Sequence, residues 1–165
     1  MTFLFWDASA LAKRFTNETG HETANAIFDN MPDVQHLSTL WGYVETHSIL
    51  RRRYNGGALK QKDFNEAVTL LRLEFGENET FQILDMDVAA MYSSIVLIDR
   101  HNLNSTDAVL LTALLNFARS PEAPICVMVS ADKRLLHAAE AEKLPALNPE
   151  TASVAEATAQ IAALG

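Results

Sequence analysis

The stretch Pro124-Ile125-Cys126-Val127-Met128-Val129-Ser130 decides the fold. Its five central residues are apolar without interruption and rich in β-branched side chains, and a proline and a serine bound them, which reads as a strand. A strand with no wet face must be covered on both sides, the condition of a parallel sheet between helical layers. Thr2-Phe3-Leu4-Phe5-Trp6 has the same character at the other end of the chain. Residues 34–38, 81–84 and 146–148 read as shorter strands. Between the strands lie helical patterns over 8–15, 22–30 (broken by Pro32), 39–53 (ended by Asn55-Gly56-Gly57), 60–75, 87–101, 105–119 and 132–142. Along 60–75, Phe64, Val68, Leu71 and Phe75 share one side. This alternation predicts an α/β fold: a three-layer α/β/α sandwich with a mostly parallel central sheet. Neither a repeat nor a linker divides the chain, so residues 1–165 are expected to form one domain, with a peripheral C-terminal helix at about 151–163.

Composition narrows the classes. With 165 residues, 48% of them hydrophobic, and only six glycines and five prolines, the chain can bury a real core, which argues against disorder. The lone Cys126 lies inside the apolar run and reads as a buried hydrophobe. One cysteine makes no internal disulfide, and the first residues lack a signal-peptide layout, so a cytoplasmic location is expected. No apolar stretch is long enough to span a membrane. The net charge of −8 is opposite to that of a generic nucleic-acid binder. It is compatible with a metal-dependent nuclease, which concentrates carboxylates and draws positive charge from its cation. There is no GxGxxG, phosphate-binding P-loop, GxSxG or HExxH pattern.

Four carboxylates break the apolar pattern. Asp7 follows the first strand and Asp132 follows the 125–129 strand, both at the edge where α/β folds place their chemistry. Asp107 opens a helix that is almost wholly apolar beyond it. Glu45 shares a helix face with Trp41 and Ile49, which puts a carboxylate in an apolar stripe. An unpaired buried carboxylate costs several kcal/mol or protonates, and a cation removes that penalty. Each residue also has a plain structural role open to it. Asp7 and Asp132 would serve as helix N-caps, Asp107 as a cap or a partner of the helix dipole, and Glu45 as a salt-bridge partner of Arg51, Arg52 or another cation. Asp85-Met86-Asp87 imitates a metal motif, but Asp87 reads as the cap of the next helix and Asp85 as solvated.

The opening Trp6-Asp7-Ala8-Ser9-Ala10-Leu11-Ala12-Lys13-Arg14-Phe15, with Glu18 and Gly20 after it, resembles the start of PIN domains of the VapC toxin type. Three further elements agree in order: Val44-Glu45 on a helix ending at Arg51-Arg52-Arg53, Ser105-Thr106-Asp107-Ala108 at a helix start, and Ser130-Ala131-Asp132 after a strand. Leu135 departs from an aromatic common in the family, and Leu110, Leu111 and Leu114 are bulkier than usual there. The resemblance implies a metal-dependent endoribonuclease that leaves a 3′-hydroxyl and a 5′-phosphate. It implies Asp7, Glu45, Asp107 and Asp132 as catalytic and metal-site residues for Mg²⁺ or Mn²⁺, with Ser9 and Ser130 orienting them. Lys13, Arg14, Arg51, Arg52 and Arg53 are expected to contact RNA phosphates. A VapB-type antitoxin and homodimerisation are the implied partnerships. A catalytically silent PIN-fold module binding RNA or protein, and another metal-dependent phosphoesterase acting on DNA, remain the alternatives.

Overall fold

The computed structural model describes residues 1–120 and 124–164. Five strands, β1 (Thr2–Trp6), β2 (Val34–Thr39), β3 (Phe81–Leu84), β4 (Ile125–Val129) and β5 (Ala146–Leu147), form one sheet in the order β3-β2-β1-β4-β5. Every pairing is parallel, with Thr2 beside Val34 on one side and Ile125 on the other. The order reverses at β1, whose neighbours β2 and β4 are reached by chain running in opposite directions across the sheet. The crevice between the carboxyl ends of β1 and β4 is therefore the switch point of the fold.

Alternation along the strands supplies two cores. Leu4 and Trp6 of β1 join Val127 and Val129 of β4 on one face, and Phe5 joins Cys126, Met128 and Leu37 on the other. The first face is covered by α2 (His21–Asp29), α3 (Leu40–Asn55), α4 (Gln61–Glu77) and α9 (Val154–Ala162), through Ile27, Leu50, Leu71 and Ile161 among others. The second is covered by α6 (Ile95–His101), α7 (Ser105–Ala118) and α8 (Lys133–Ala141), through Leu97, Leu111 and Leu135. The sandwich is thus three-layered as expected. Leu110, Leu111, Leu114 and Leu135 are core residues of the second layer. Cys126 is buried in it, and that burial pushes its thiol up to about 11, so it stays a neutral apolar group. No helix among the described residues is long and apolar enough to cross a membrane.

Three local expectations change. The helix over 8–15 tightens after α1 (Ala8–Leu11) into a 3-10 turn, Ala12–Phe15. The helix over 87–101 divides at Ser94 into α5 (Val88–Ser93) and α6. There the Ser93 and Ser94 hydroxyls donate to the carbonyls of Ala89 and Met91, a local bonding that competes with a straight helix. The last helix begins later, at Val154, where Ser153 and Glu156 form a reciprocal capping box. It is not peripheral, since Ala157 and Ile161 are buried in the first core.

Candidate active site

Asp7 stands one residue beyond β1, with its backbone N–H bonded to Val129 of the neighbouring strand. It caps α1 and is 5% exposed. Its Oδ2 accepts from the Ser9 N–H at 3.2 Å, the Ser9 hydroxyl at 2.5 Å and the Ser130 hydroxyl at 3.0 Å. The two hydroxyl oxygens lie 3.2 Å apart. They in turn accept backbone N–H groups, Ser9 from Ala131 and Ser130 from Asp132, at 2.9 and 3.0 Å. This web locks the end of β1 to the β4–α8 loop across the switch point.

The other three carboxylates come from separate elements. Asp132 caps α8, its Oδ1 accepting from the N–H groups of Arg134 at 2.7 Å and Leu135 at 3.3 Å. Asp107 lies in the first turn of α7, where Asn104 is the cap. The Asn104 side-chain amide donates to Asp107 Oδ2 at 2.7 Å while its carbonyl accepts the Asp107 N–H. Glu45 projects from α3. The buried stripe of that helix is Gly42, Thr46 and Leu50, not the Trp41–Glu45–Ile49 row. Trp41 is half exposed, so Glu45 stands beside the apolar stripe rather than within it. Gly42 sets how closely the helix approaches: a Cβ there would come within 2.4 Å of the Ser38 hydroxyl oxygen.

The capping roles and the clustering coexist, because a cap uses only part of a carboxylate. Among the described residues, Asp7 Oδ1, Asp107 Oδ1, Asp132 Oδ2 and both oxygens of Glu45 accept no hydrogen bond, and none of the four residues forms an ion pair. Asp107 is pushed up to about 6, first by burial and then by the charges of Asp7, Asp132 and Glu45, with Arg134 opposing. Glu45 is raised by burial and then by Asp7, with Arg52 opposing. Asp107 thus feels the charges of the other three, and Glu45 that of Asp7. Yet no three Asp, Glu, His or Cys side chains among the described residues stand close enough to enclose a bare ion. The two observations differ in range: fields between carboxylates extend well beyond a coordination bond. A hard divalent cation that keeps several waters suits such a spaced set of oxygens, whereas a tight cage with softer ligands is not offered.

Comparison with known proteins bears on the fold. Neither a family model nor a curated protein matches the sequence. Among solved structures, a chain in the crystal structure of VapBC2 from Rickettsia felis bound to a DNA fragment from their promoter is similar. Its TM-score is 0.55 at 9% identity, covering 90% of this chain and 98% of that one. The fold is PIN-like.

Within this PIN-like frame the cationic residues need correction. Lys13 is 2% exposed, its Nζ 2.6 Å from Glu150 and 3.9 Å from Glu18. Arg14 pairs with Asp29 at 3.1 Å and Glu74 at 2.6 Å, and its guanidinium lies 3.5 Å above the centre of the Phe28 ring. A buried cation must be paired, and these two are spent on internal ties rather than held out to phosphates. Arg53 is likewise bound to Glu18. Arg51 lies over the Phe64 and Tyr54 rings, and Arg52 is exposed, with Ser48 its one hydrogen-bond partner among the described residues. Asp87 caps α5 as expected, bonding the Ala90 N–H at 2.6 Å. Sequence reading passed over Asn104, which orients Asp107. Its signal was an asparagine three residues ahead of the acid at a helix start. Arg134, to which sequence reading gave no role, stands in the first turn of α8 beside the cap Asp132.

Proposed function

We propose that this chain is a divalent-metal-dependent endoribonuclease of the VapC toxin type. One observation carries the reading: carboxylates from four elements gather at the switch point, each keeps at least one oxygen free of hydrogen bonds, and none is in an ion pair among the described residues. Such an arrangement costs stability and is retained where a cation is to be held.

In this reading Asp7, Glu45, Asp107 and Asp132 would hold Mg²⁺ or Mn²⁺. A cation held there would neutralise charge at the scissile phosphate and lower the pKa of a water. The protein's own part is orientation. Ser9 and Ser130 fix one oxygen of Asp7 and leave the other turned to the site. Asn104 does the same for Asp107. Burial and the neighbouring charges raise Asp107 to about 6, and a bound cation would favour its ionised form. Hydrolysis would leave 3′-hydroxyl and 5′-phosphate ends. A cytoplasmic setting, a VapB-type antitoxin whose arginine pairs with the same carboxylates, and a homodimer complete the proposal.

The deciding experiment is an RNA-cleavage assay on purified protein. Cutting is expected with Mn²⁺ or Mg²⁺ and absent in chelator. Asp7→Asn should abolish it, by at least about a hundredfold, with an unchanged circular dichroism spectrum. Undiminished cutting in excess chelator defeats the metal mechanism. Tight RNA binding without any cutting under divalent ions favours a silent binding module instead.

A further inference from the structure

An acidic chain repels RNA everywhere except where cations stand free, so the free cations near the site mark the path of the strand. Of the thirteen lysines and arginines, Lys13, Arg14, Arg53, Arg100 and Arg119 are held in ion pairs. Among the remainder, two stand beside the acidic cluster: Arg52 lines a groove with Ser9 and Ala131, and the Arg134 N–H bonds Asp132 Oδ1 at 2.7 Å. Both are exposed, and neither has an ion-pair partner among the described residues.

They reach the cluster from opposite layers of the sandwich. Arg52 belongs to α3, whose Leu50 is part of the first core, and Arg134 to α8, whose Leu135 is part of the second. Arg52 follows Glu45 by seven residues, two helical turns along the same face, or about 10 Å. Arg134 is tied to the other flank by its own N–H bond to Asp132. Each arginine also lines a hollow. On the α3 side, Arg52 shares a groove of about 550 Å³ with Ser9 and Ala131, which border the cluster, and with Ile49 and Ala58. Glu18 and Glu150 on the same wall are already paired with Lys13 and Arg53, so Arg52 is the cation left for a phosphate, and Ile49 and Ala58 offer apolar surface to the face of an unpaired base. On the α8 side, Arg134 shares a hollow of about 360 Å³ with Lys133, His137 and His101.

We infer that single-stranded RNA crosses the carboxyl edge of the sheet from the α3 layer to the α8 layer, with Arg52 and Arg134 holding the phosphates on either side of the one over Asp7. The groove beside Ser9 and Ala131 takes the nucleotide on the α3 side. Arg52 and Arg134 are positioning residues for the strand. This inference rests on the ribonuclease reading, and the test separates the two.

The test measures fluorescence anisotropy of a labelled single-stranded RNA oligonucleotide against salt concentration. It uses the full chain carrying Asp7→Asn, with Mg²⁺ present so that the strand stays whole. Arg52→Gln and Arg134→Gln should each weaken binding about fivefold and reduce the salt slope by about 0.7. Arg52→Lys and Arg134→Lys should restore the slope. Arg72→Gln on α4, an exposed arginine remote from the cluster, should change neither quantity, and the thermal midpoints of all variants should agree. Failure of the unsubstituted arginine background to bind RNA at low salt overturns the inference. So does an equal loss in Arg72→Gln, or no loss in Arg52→Gln and Arg134→Gln, whether or not wild-type protein cuts RNA. If both arginines lower affinity and slope while wild-type protein cuts nothing under Mn²⁺, the strand path stands and the nuclease reading falls.

Discussion

Asp107 shows how one residue trades stability for chemistry. Its carboxyl titrates near 6 in the folded chain and near 3.8 unfolded. Below 3.8 it is neutral in both states and costs nothing. As pH rises through that window the unfolded chain releases the proton first, so folded stability falls, and the full cost is present above about 6. Asp107→Asn should therefore stabilise the metal-free protein at neutral pH by up to about 3 kcal/mol. The gain should fade as pH falls toward 4, read by denaturant titration across pH. Added Mn²⁺ should raise the melting temperature of wild type more than that of the variant. A variant no more stable than wild type at neutral pH would show that Asp107 bears no such cost. His36 works in the opposite sense. It is 3% exposed, stacked 3.9 Å from the Phe28 ring, with Nδ1 accepting from the Trp6 indole N–H and Nε2 facing the Phe28 carbonyl. Burial, then the charge of Arg14, lowers its pKa from 6.5 to about 4. Above 6.5 it is neutral folded and unfolded. Between 6.5 and 4 the unfolded chain takes a proton the folded chain refuses, so stability is lost as pH falls. His36→Gln should flatten that acid limb by up to about 3 kcal/mol, and parallel limbs would contradict the assignment. The sequence marked Asp107 as unusual because apolar residues follow it. It gave no sign of His36, since that histidine's partners lie 30 and 8 residues away and meet it only through folding.

At the scale of elements, legibility followed burial on both faces. β1 and β4 were readable to the residue because neither has a wet side, and the apolar run therefore ends where the strand ends. Helix interiors were harder, because Ser93 and Ser94 interrupt 87–101 by hydrogen bonds that leave the apolar spacing intact. Gly20, quoted in the opening motif, acquires its reason only from a distant element. It caps α2 at φ +88°, and a Cβ there would sit 2.8 Å from the backbone of Pro149, in the loop leading to α9. The same loop supplies Glu150 to the buried Lys13, so α2, the 3-10 turn and the α9 approach are fastened at one corner. Gly20→Ala meets both a left-handed backbone and rigid main chain. It should cost about 2 kcal/mol or more, measured as a lower denaturation midpoint. A loss of a few tenths would mean that the loop yields freely.

For the whole molecule, the three-layer class followed from strands alternating with helices, but the strand order did not, because pattern fixes which segments are strands and not which lie side by side. The site's convergence was hidden for the same reason: residues 7, 45, 107 and 132 come together only when β1 is placed between β2 and β4. What faces outward also needed the fold. Leu40, Trp41 and Val44 of α3 and Val88, Met91, Tyr92, Ile95 and Val96 of α5 and α6 are all exposed. The two groups follow the carboxyl ends of the neighbouring strands β2 and β3, whose Thr39 and Leu84 are in register. Exposed apolar surface on this scale marks an association face. The segment from Val88 to Ile98 carries no charged side chain, so two copies can meet there without opposing like charges despite a net charge of −8 each. The proposed homodimer should therefore form through this face and strengthen as salt screens the remaining repulsion. Sedimentation equilibrium should give a mass near twice 18.2 kDa that falls on dilution more readily at low salt. Tyr92 is 75% exposed in the monomer, so Tyr92→Glu leaves the core untouched. It should shift the protein to monomer with an unchanged melting profile at low concentration. A dimer indifferent to that charge, or a monomer at every concentration and salt, would place the association elsewhere or remove it.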